Sequence, residues 1–245
     1  MSSVVSYQIH EGIGVITVDN PPVNALSHAV RTGIASALET ARHDDTTALV
    51  LLCAGRTFIA GADITEFGKP PMEPSLPELL DILDSHPKLT IAAIHGTALG
   101  GGFETALACN YRIALSSAKV GLPEVKLGLL PGAGGTQRVP RLAGIHTAIE
   151  LITTGNPIPA SQAQQSGLID KVVDNDLLNE AITLARTLVD TQAEQKQART
   201  ANLKFSEDDR TTLDTVRAEL NKKTRGETAP QRIVDCLQHW HLDRH

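Results

Sequence analysis

Apolar and polar positions follow several distinct rhythms along this chain. Val4, Val5, Tyr7 and Ile9 form one strand-like run and Ile13, Val15, Ile16 and Val18 a second, with Glu11-Gly12 between them. Two such runs around a glycine-containing dipeptide predict a hairpin. Asn20-Pro21-Pro22 then breaks regular structure. From Ser27, a side chain suited to N-capping, the rhythm becomes helical. Val30, Ile34, Ala37, Leu38 and Ala41 share one face of a helix predicted to end near Arg42. Ala48–Cys53 and Ile91–Ile94 are unbroken apolar runs of strand length, the pattern of parallel strands buried on both faces. Helical segments alternate with them, which predicts an α/β core with crossover helices.

The middle of the chain is glycine-rich and poor in charge, at residues 96–102 and 128–135. From about residue 175 it becomes charged, nearly free of glycine until Gly226, and helical in pattern. Leu178, Ala181, Ile182, Leu184, Ala185 and Leu188 fit one helix; Leu213, Val216 and Leu220 fit another. We therefore expect a core over residues 1–190 and a helical tail over 191–245, whose apolar faces must be covered either by that core or by another subunit.

Composition narrows the function classes. The 245 residues are 41% hydrophobic, enough for a sizeable core. A net charge of -6 and only 3% aromatic residues argue against a nucleic-acid partner. They leave room for a small anionic ligand held by local donors. Cys53, Cys109 and Cys236 are odd in number and form no CxxC pair, which suits a reducing compartment and offers no structural zinc site. Neither a signal peptide nor an apolar stretch of about 18 residues is visible, so the cytoplasm is the expected location, without a membrane span.

Two segments carry candidate chemistry. His95-Gly96-Thr97-Ala98-Leu99-Gly100-Gly101-Gly102-Phe103-Glu104 follows the buried run Ile91–Ile94 and enters a short apolar helix, Phe103 to about Cys109. Backbone N–H groups at such a turn approach a ligand closely, and the helix N-terminus favours developing negative charge. An oxyanion on a carbonyl would be stabilised there. On spacing alone, the glycines equally allow tight packing, with Glu104 merely answering the helix dipole. The run lacks the GxGxxG spacing and no GK[ST] follows, so neither a dinucleotide nor a phosphate loop is indicated. The second segment, Leu122-Pro123-Glu124-Val125-Lys126-Leu127-Gly128-Leu129-Leu130-Pro131-Gly132-Ala133-Gly134-Gly135-Thr136-Gln137-Arg138, places a lone acid in an apolar stretch. Buried, Glu124 would have a raised pKa and could serve as an acid; exposed, it would be a loop glutamate paired with Lys126.

Together with Asn20-Pro21-Pro22-Val23-Asn24-Ala25-Leu26, the loop Ile59-Ala60-Gly61-Ala62-Asp63-Ile64 and the segment Ala160–Val173, these stretches resemble the crotonase (enoyl-CoA hydratase/isomerase) superfamily over about residues 4–190. The text is most similar to the amino-terminal hydratase half of multifunctional fatty-acid β-oxidation proteins. The resemblance implies a spiral of ββα turns followed by helices. It implies an acyl-CoA thioester as substrate, with no separate cofactor. It also implies Glu104 and Glu124 as the catalytic pair around one water, Ala60 and Gly101 as the amides of an oxyanion hole, and Val23, Ala62, Asp63 and Ile64 near the CoA. Having both glutamates favours hydration of a 2-enoyl-CoA. The alternatives are a Δ3,Δ2-enoyl-CoA isomerase, since relatives that only shift a double bond often keep one glutamate and the same groups could move an α-proton, and an inactive or binding module. The family pattern departs at the end, where the chain stops at Trp240-His241-Leu242-Asp243-Arg244-His245. We expect either a short stand-alone member or the first part of a larger protein, self-associating in the former case. His239, His241 and His245 have no matching ligand cluster, so no metal is expected. Cys109 reads as core and His95 as a loop or packing residue.

Overall fold

The first two runs pair as a hairpin. The computed structural model describes residues 3–66, 68–199, 201, 205–223 and 227–239. In it β1 (Val5–His10) and β2 (Ile13–Val18) are antiparallel, in register from Val5↔Val18 to His10↔Ile13. Glu11 and Gly12 have φ of 52° and 84°, the paired positive values that a tight type I′ turn requires. Helix α1 (His28–His43) starts at Ser27, whose side chain accepts from the Val30 N–H. There follow β3 (Ala48–Cys53), α2 (Leu76–Asp84), β4 (Leu89–Ile94), β5 (Thr97–Leu99), α3 (Gly101–Ala108), β6 (Tyr111–Leu115) and β7 (Lys119–Gly121). Then come α4 (Gly135–Thr154), β8 (Ile158–Pro159), α5 (Ala160–Gln165), β9 (Lys171–Val173), α6 (Leu177–Asp190), α7 (Glu207–Lys223) and α8 (Ala229–Gln238). The backbone of α4 is broken at Gly144.

Strands β1-β2-β3-β4-β6-β9 form one sheet in that order, parallel from β2 onward. A smaller sheet runs β5-β7-β8. Successive units β4-β5-α3 and β6-β7-α4 thus each place one strand in the large sheet and the next in the small one. This is a ββα spiral, not an open doubly wound sheet with a single crevice.

The unbroken apolar runs have the expected cause. In β3, Leu49, Leu51 and Cys53 pack with Ile34, Leu38, Leu79 and Phe103 on one side. Ala48 and Val50 pack on the other with Ile91, Ile113, Ala181, Ile182 and Ala185, the last three from α6. A strand covered on both faces has no polar register to show. The tail helix α8 packs on α4 and α7 and buries Ile233, Val234 and Leu237. Its apolar face is therefore covered by this same chain.

Arg112, 1% exposed, fastens the β6–β9 edge. Its Nη2 lies 3.1 Å from Asp170 Oδ2, and its Nε and Nη1 donate to the Leu168 and Cys109 carbonyls at 2.8 Å each. Arg112→Met should cost toward the lower end of the ~3–5 kcal/mol typical when one member of a buried pair is removed, because Lys196 still holds Asp170 Oδ1 at 2.7 Å. Urea denaturation reads this directly. A loss below ~1 kcal/mol, the range of exposed pairs, would contradict it.

Candidate active site

The entry to α3 is built by close backbone approach. Gly100 has φ 54°, and its N–H donates to the Gly121 carbonyl at 2.9 Å, tying the turn to the end of β7. A Cβ on Gly102 would stand 2.1 Å from the Ile59 carbonyl oxygen, so the Ile59–Ala62 segment lies directly on the helix entry and only glycine fits there. This contact brings Gly101 beside Ala62: a Cβ on Gly101 would be 3.7 Å from the Ala62 nitrogen. Neither the Gly101 nor the Ala62 N–H has a hydrogen-bond partner among the described residues. Ala60 differs. Its N–H donates to the Val23 carbonyl at 3.1 Å, so it is already committed to backbone structure. The structure therefore disagrees with Ala60 as a free amide of the expected Ala60–Gly101 pair, and the neighbouring N–H groups without a partner are those of Ala62 and Gly101. Loop sequence does not show which amide faces the helix.

Glu104 sits in the first turn of α3 and is 2% exposed. Its Oε1 accepts from the Ala133 N–H at 2.9 Å and the Gly135 N–H at 2.7 Å. The helix-dipole reading of Glu104 thus misses its main partners, which come from 29 and 31 residues along the chain. Glu124 lies in a short 3-10 turn, Pro123–Leu127, and is half-buried. Its Oε1 borders Gly100, 3.3 Å from where a Cβ would be, and its Oε2 is buried with no hydrogen-bond partner. Lys126 does not pair with it; that ammonium donates to Asn156 Oδ1 at 2.8 Å.

Burial raises both carboxyls, but their surroundings differ. Glu124 is pushed up to about 7 by burial, reinforced by the charge of Glu104. Burial also raises Glu104, against the Gly135 and Ala133 N–H groups and the positive charge of Arg138. Donors favour the ionised form and an unpartnered oxygen does not. The shared proton therefore belongs on Glu124 and the negative charge on Glu104, with the two titrations coupled.

The remaining loop residues are more open. Val23 is half-buried, Ala62 is exposed and Ile64 is 71% exposed. The Thr65 hydroxyl and the Thr65 N–H, the latter donating to the Asp63 carboxylate at 2.9 Å, hold the Asp63 pKa below the usual carboxylate range. A latch unforeseen from sequence steadies this loop. Glu66 accepts from the His28 N–H at 2.6 Å and pairs with Arg31 at 2.7 Å. Arg31 also donates to the Leu26 and Pro74 carbonyls. His95 bonds the Gly55 carbonyl at 3.1 Å through Nε2, as a loop residue. Cys109 is buried, and its thiol is pushed up to about 12 by burial, which suits packing rather than nucleophilic attack. His239 Nδ1 bonds the Asp235 carbonyl oxygen; His241 and His245 lie outside the described residues. Among the described residues no cluster of three or more His, Cys, Asp or Glu side chains could hold a metal, and no helix is long and apolar enough to cross a membrane.

Residues 8–233 match the family described as enoyl-CoA hydratase/isomerase. The chain belongs to that family. Among enoyl-CoA hydratase/isomerase relatives, the peroxisomal bifunctional enzyme of Danio rerio is 41% identical over 94% of this chain, which spans only 32% of that protein's length. The probable enoyl-CoA hydratase of Bacillus subtilis (strain 168) is 40% identical over 82% of this chain and 80% of its own. A crystal structure of enoyl-CoA hydratase from Bacillus anthracis superposes with a TM-score of 0.72 at 30% identity, covering 96% of this chain and 91% of that one. Family membership agrees with the resemblance carried by the ALGGGFE turn and the Leu122–Arg138 stretch.

The electrostatic coupling makes a prediction. Removing the charge of Glu104 removes one of the two causes that raise Glu124, so Glu104→Gln should lower the Glu124 pKa from about 7. Infrared titration of the protonated carboxyl band, assigned with Glu124→Gln, measures it. An unchanged midpoint in Glu104→Gln would show that the two carboxyls do not interact.

Proposed function

We propose that this chain is an enoyl-CoA hydratase that adds water across the 2,3 double bond of a trans-2-enoyl-CoA in fatty-acid β-oxidation. The observation that carries the reading is the inequality of the two glutamates: Glu104 with two N–H donors on one oxygen, Glu124 with a buried oxygen that has none. The N–H groups of Ala62 and Gly101 would hold the thioester oxygen and draw charge from C3, as an oxyanion hole does. Glu104, ionised, takes a proton from water as the oxygen bonds to C3. The C2–C3 π electrons move toward the thioester, and Glu124, protonated, delivers its proton to C2. Atoms and charge balance with water as the sole co-reactant: the proton gained by Glu104 replaces the one lost by Glu124. No cofactor enters this scheme.

The segment Ala62-Asp63-Ile64, exposed at Ala62 and Ile64 and half-buried at Asp63, with Val23 beside it, would receive the CoA. The buried thiols Cys53 and Cys109 fit a reducing compartment, and we keep the cytoplasm as the working location. Self-association belongs to the same proposal, supported by the exposed apolar side chains Ile9, Leu127 and Leu129.

Loss of the conjugated enoyl-thioester absorbance on addition of protein tests the reaction. Glu104→Gln alone should remove most of the rate, roughly 10²–10⁴-fold for a positioned acid or base. Adding Glu124→Gln should then cost little more, because groups acting as a unit are non-additive. Binding of a saturated acyl-CoA should change far less than turnover. Near-wild-type turnover in either single variant would sink the two-glutamate mechanism. Rapid conversion of a 3-enoyl-CoA with negligible hydration would replace hydratase by isomerase.

A further inference from the structure

Arg138 and Asp84 form an ion pair in the protein interior, Nη2 to Oδ2 at 3.0 Å, with exposures of 5% and 1%. Stability is a poor reason for this pair. Asp84 Oδ1 and Arg138 Nε are both buried without a hydrogen-bond partner, and buried pairs with unsatisfied atoms are commonly no better than apolar packing. What the pair touches offers a better one. Arg138 Nη1 donates to the Ala133 carbonyl at 2.9 Å, while the N–H of that same Ala133 donates to Glu104 at 2.9 Å. Gly134, between the two donors to Glu104, has φ 104°, and a Cβ on it would stand 2.2 Å from Arg138 Nη1. The guanidinium occupies the space a side chain at 134 would need. Asp84 is anchored from the segment after α6, by Gln197 Nε2 on its carbonyl at 3.1 Å and by Arg199 Nε at 3.6 Å from Oδ2.

We propose that Arg138, held by Asp84, is a positioning residue for Glu104: it clamps the Ala133–Gly135 turn in the shape that presents two N–H groups to the carboxylate. The inference rests on the reading of Glu104 as the base. Charged groups near Glu104 are Glu124 from the 3-10 turn and Arg138 from α4, with Asp84 of α2 and Arg199 behind Arg138. Of these, Arg138 directly favours the ionised base, and its loss removes that charge.

The test compares Arg138→Gln and Arg138→Lys with wild type, at a temperature where all remain folded. Arg138→Gln should lower kcat roughly 10–100-fold, the scale on which outer-shell partners of metal ligands act, with KM for a 2-enoyl-CoA changed far less. The acid limb of kcat/KM should move to higher pH, since Glu104 then ionises less readily. Arg138→Lys keeps the charge without the fork, so its acid limb should stay near wild type while kcat still falls. If Arg138→Gln does not fold, Arg138→Lys decides alone: an unchanged kcat overturns the clamp. A lowered melting temperature with kcat and acid limb intact in either variant assigns the pair to stability and overturns it too. Infrared titration of Glu104, identified by Glu104→Gln, separates the two levels of inference. Wild type without hydration sinks the proposed function, whereas a Glu104 midpoint unmoved by Arg138→Gln sinks this one.

Discussion

A carboxylate that is 2% exposed governs the arrangement of this molecule. An ionised carboxyl removed from water costs many kcal/mol unless donors replace its hydration. Here the replacement is two backbone N–H groups on one oxygen, the N-terminal end of α3, and the charge of Arg138. Each requirement fixes something else. The donors must come from the turn before α4, so that turn must lie over α3. Gly135 leaves little room for a side chain, because a Cβ there would sit 2.9 Å from Leu122 Cδ1 and Pro131 Cβ and 3.1 Å from Glu104 Oε1. With the charge settled on Glu104, the proton is driven onto Glu124, whose own burial already raises it.

The spiral brings these pieces together at the seam between its two sheets. The large sheet supplies β4, from which the chain steps into β5 of the small sheet and then into α3. The end of β7 ties to Gly100, and the 3-10 turn that follows it carries Glu124 to the same place. The Ile59–Ala62 segment closes the other side through its contact with Gly102.

Much of the scaffold was legible because its cause is local. The β1–β2 hairpin announced itself through Glu11-Gly12, α1 through Ser27 and its apolar face, and β3 and β4 through runs that only double-sided burial explains. The three strands of the small sheet are two or three residues long, too short for any period to register. Helix α2 did carry a signal that went unused, the capping box Ser75-x-x-Glu78 with Pro77 in the first turn. Motif and family pattern single out both glutamates as candidates, whereas their inequality depends on partners far along the chain. That the Ala60 N–H is taken by the Val23 carbonyl, leaving the Ala62 N–H beside Gly101, has no sequence signature. Arg138 ends the Leu122–Arg138 motif, but its partner Asp84 lies 54 residues away.

The central claim is that one water is shared by two carboxyls of opposite protonation on one wall of the site. If so, the hydroxyl at C3 and the hydrogen at C2 must arrive from the same face of the planar enoyl group. Hydration of a trans-2-enoyl-CoA in D2O, with the relative configuration at C2 and C3 of the 3-hydroxyacyl product read by proton NMR, tests this directly. The account predicts a single diastereomer from syn addition of deuterium and hydroxyl. Anti addition, or a mixture of both diastereomers under single-turnover conditions, would contradict it.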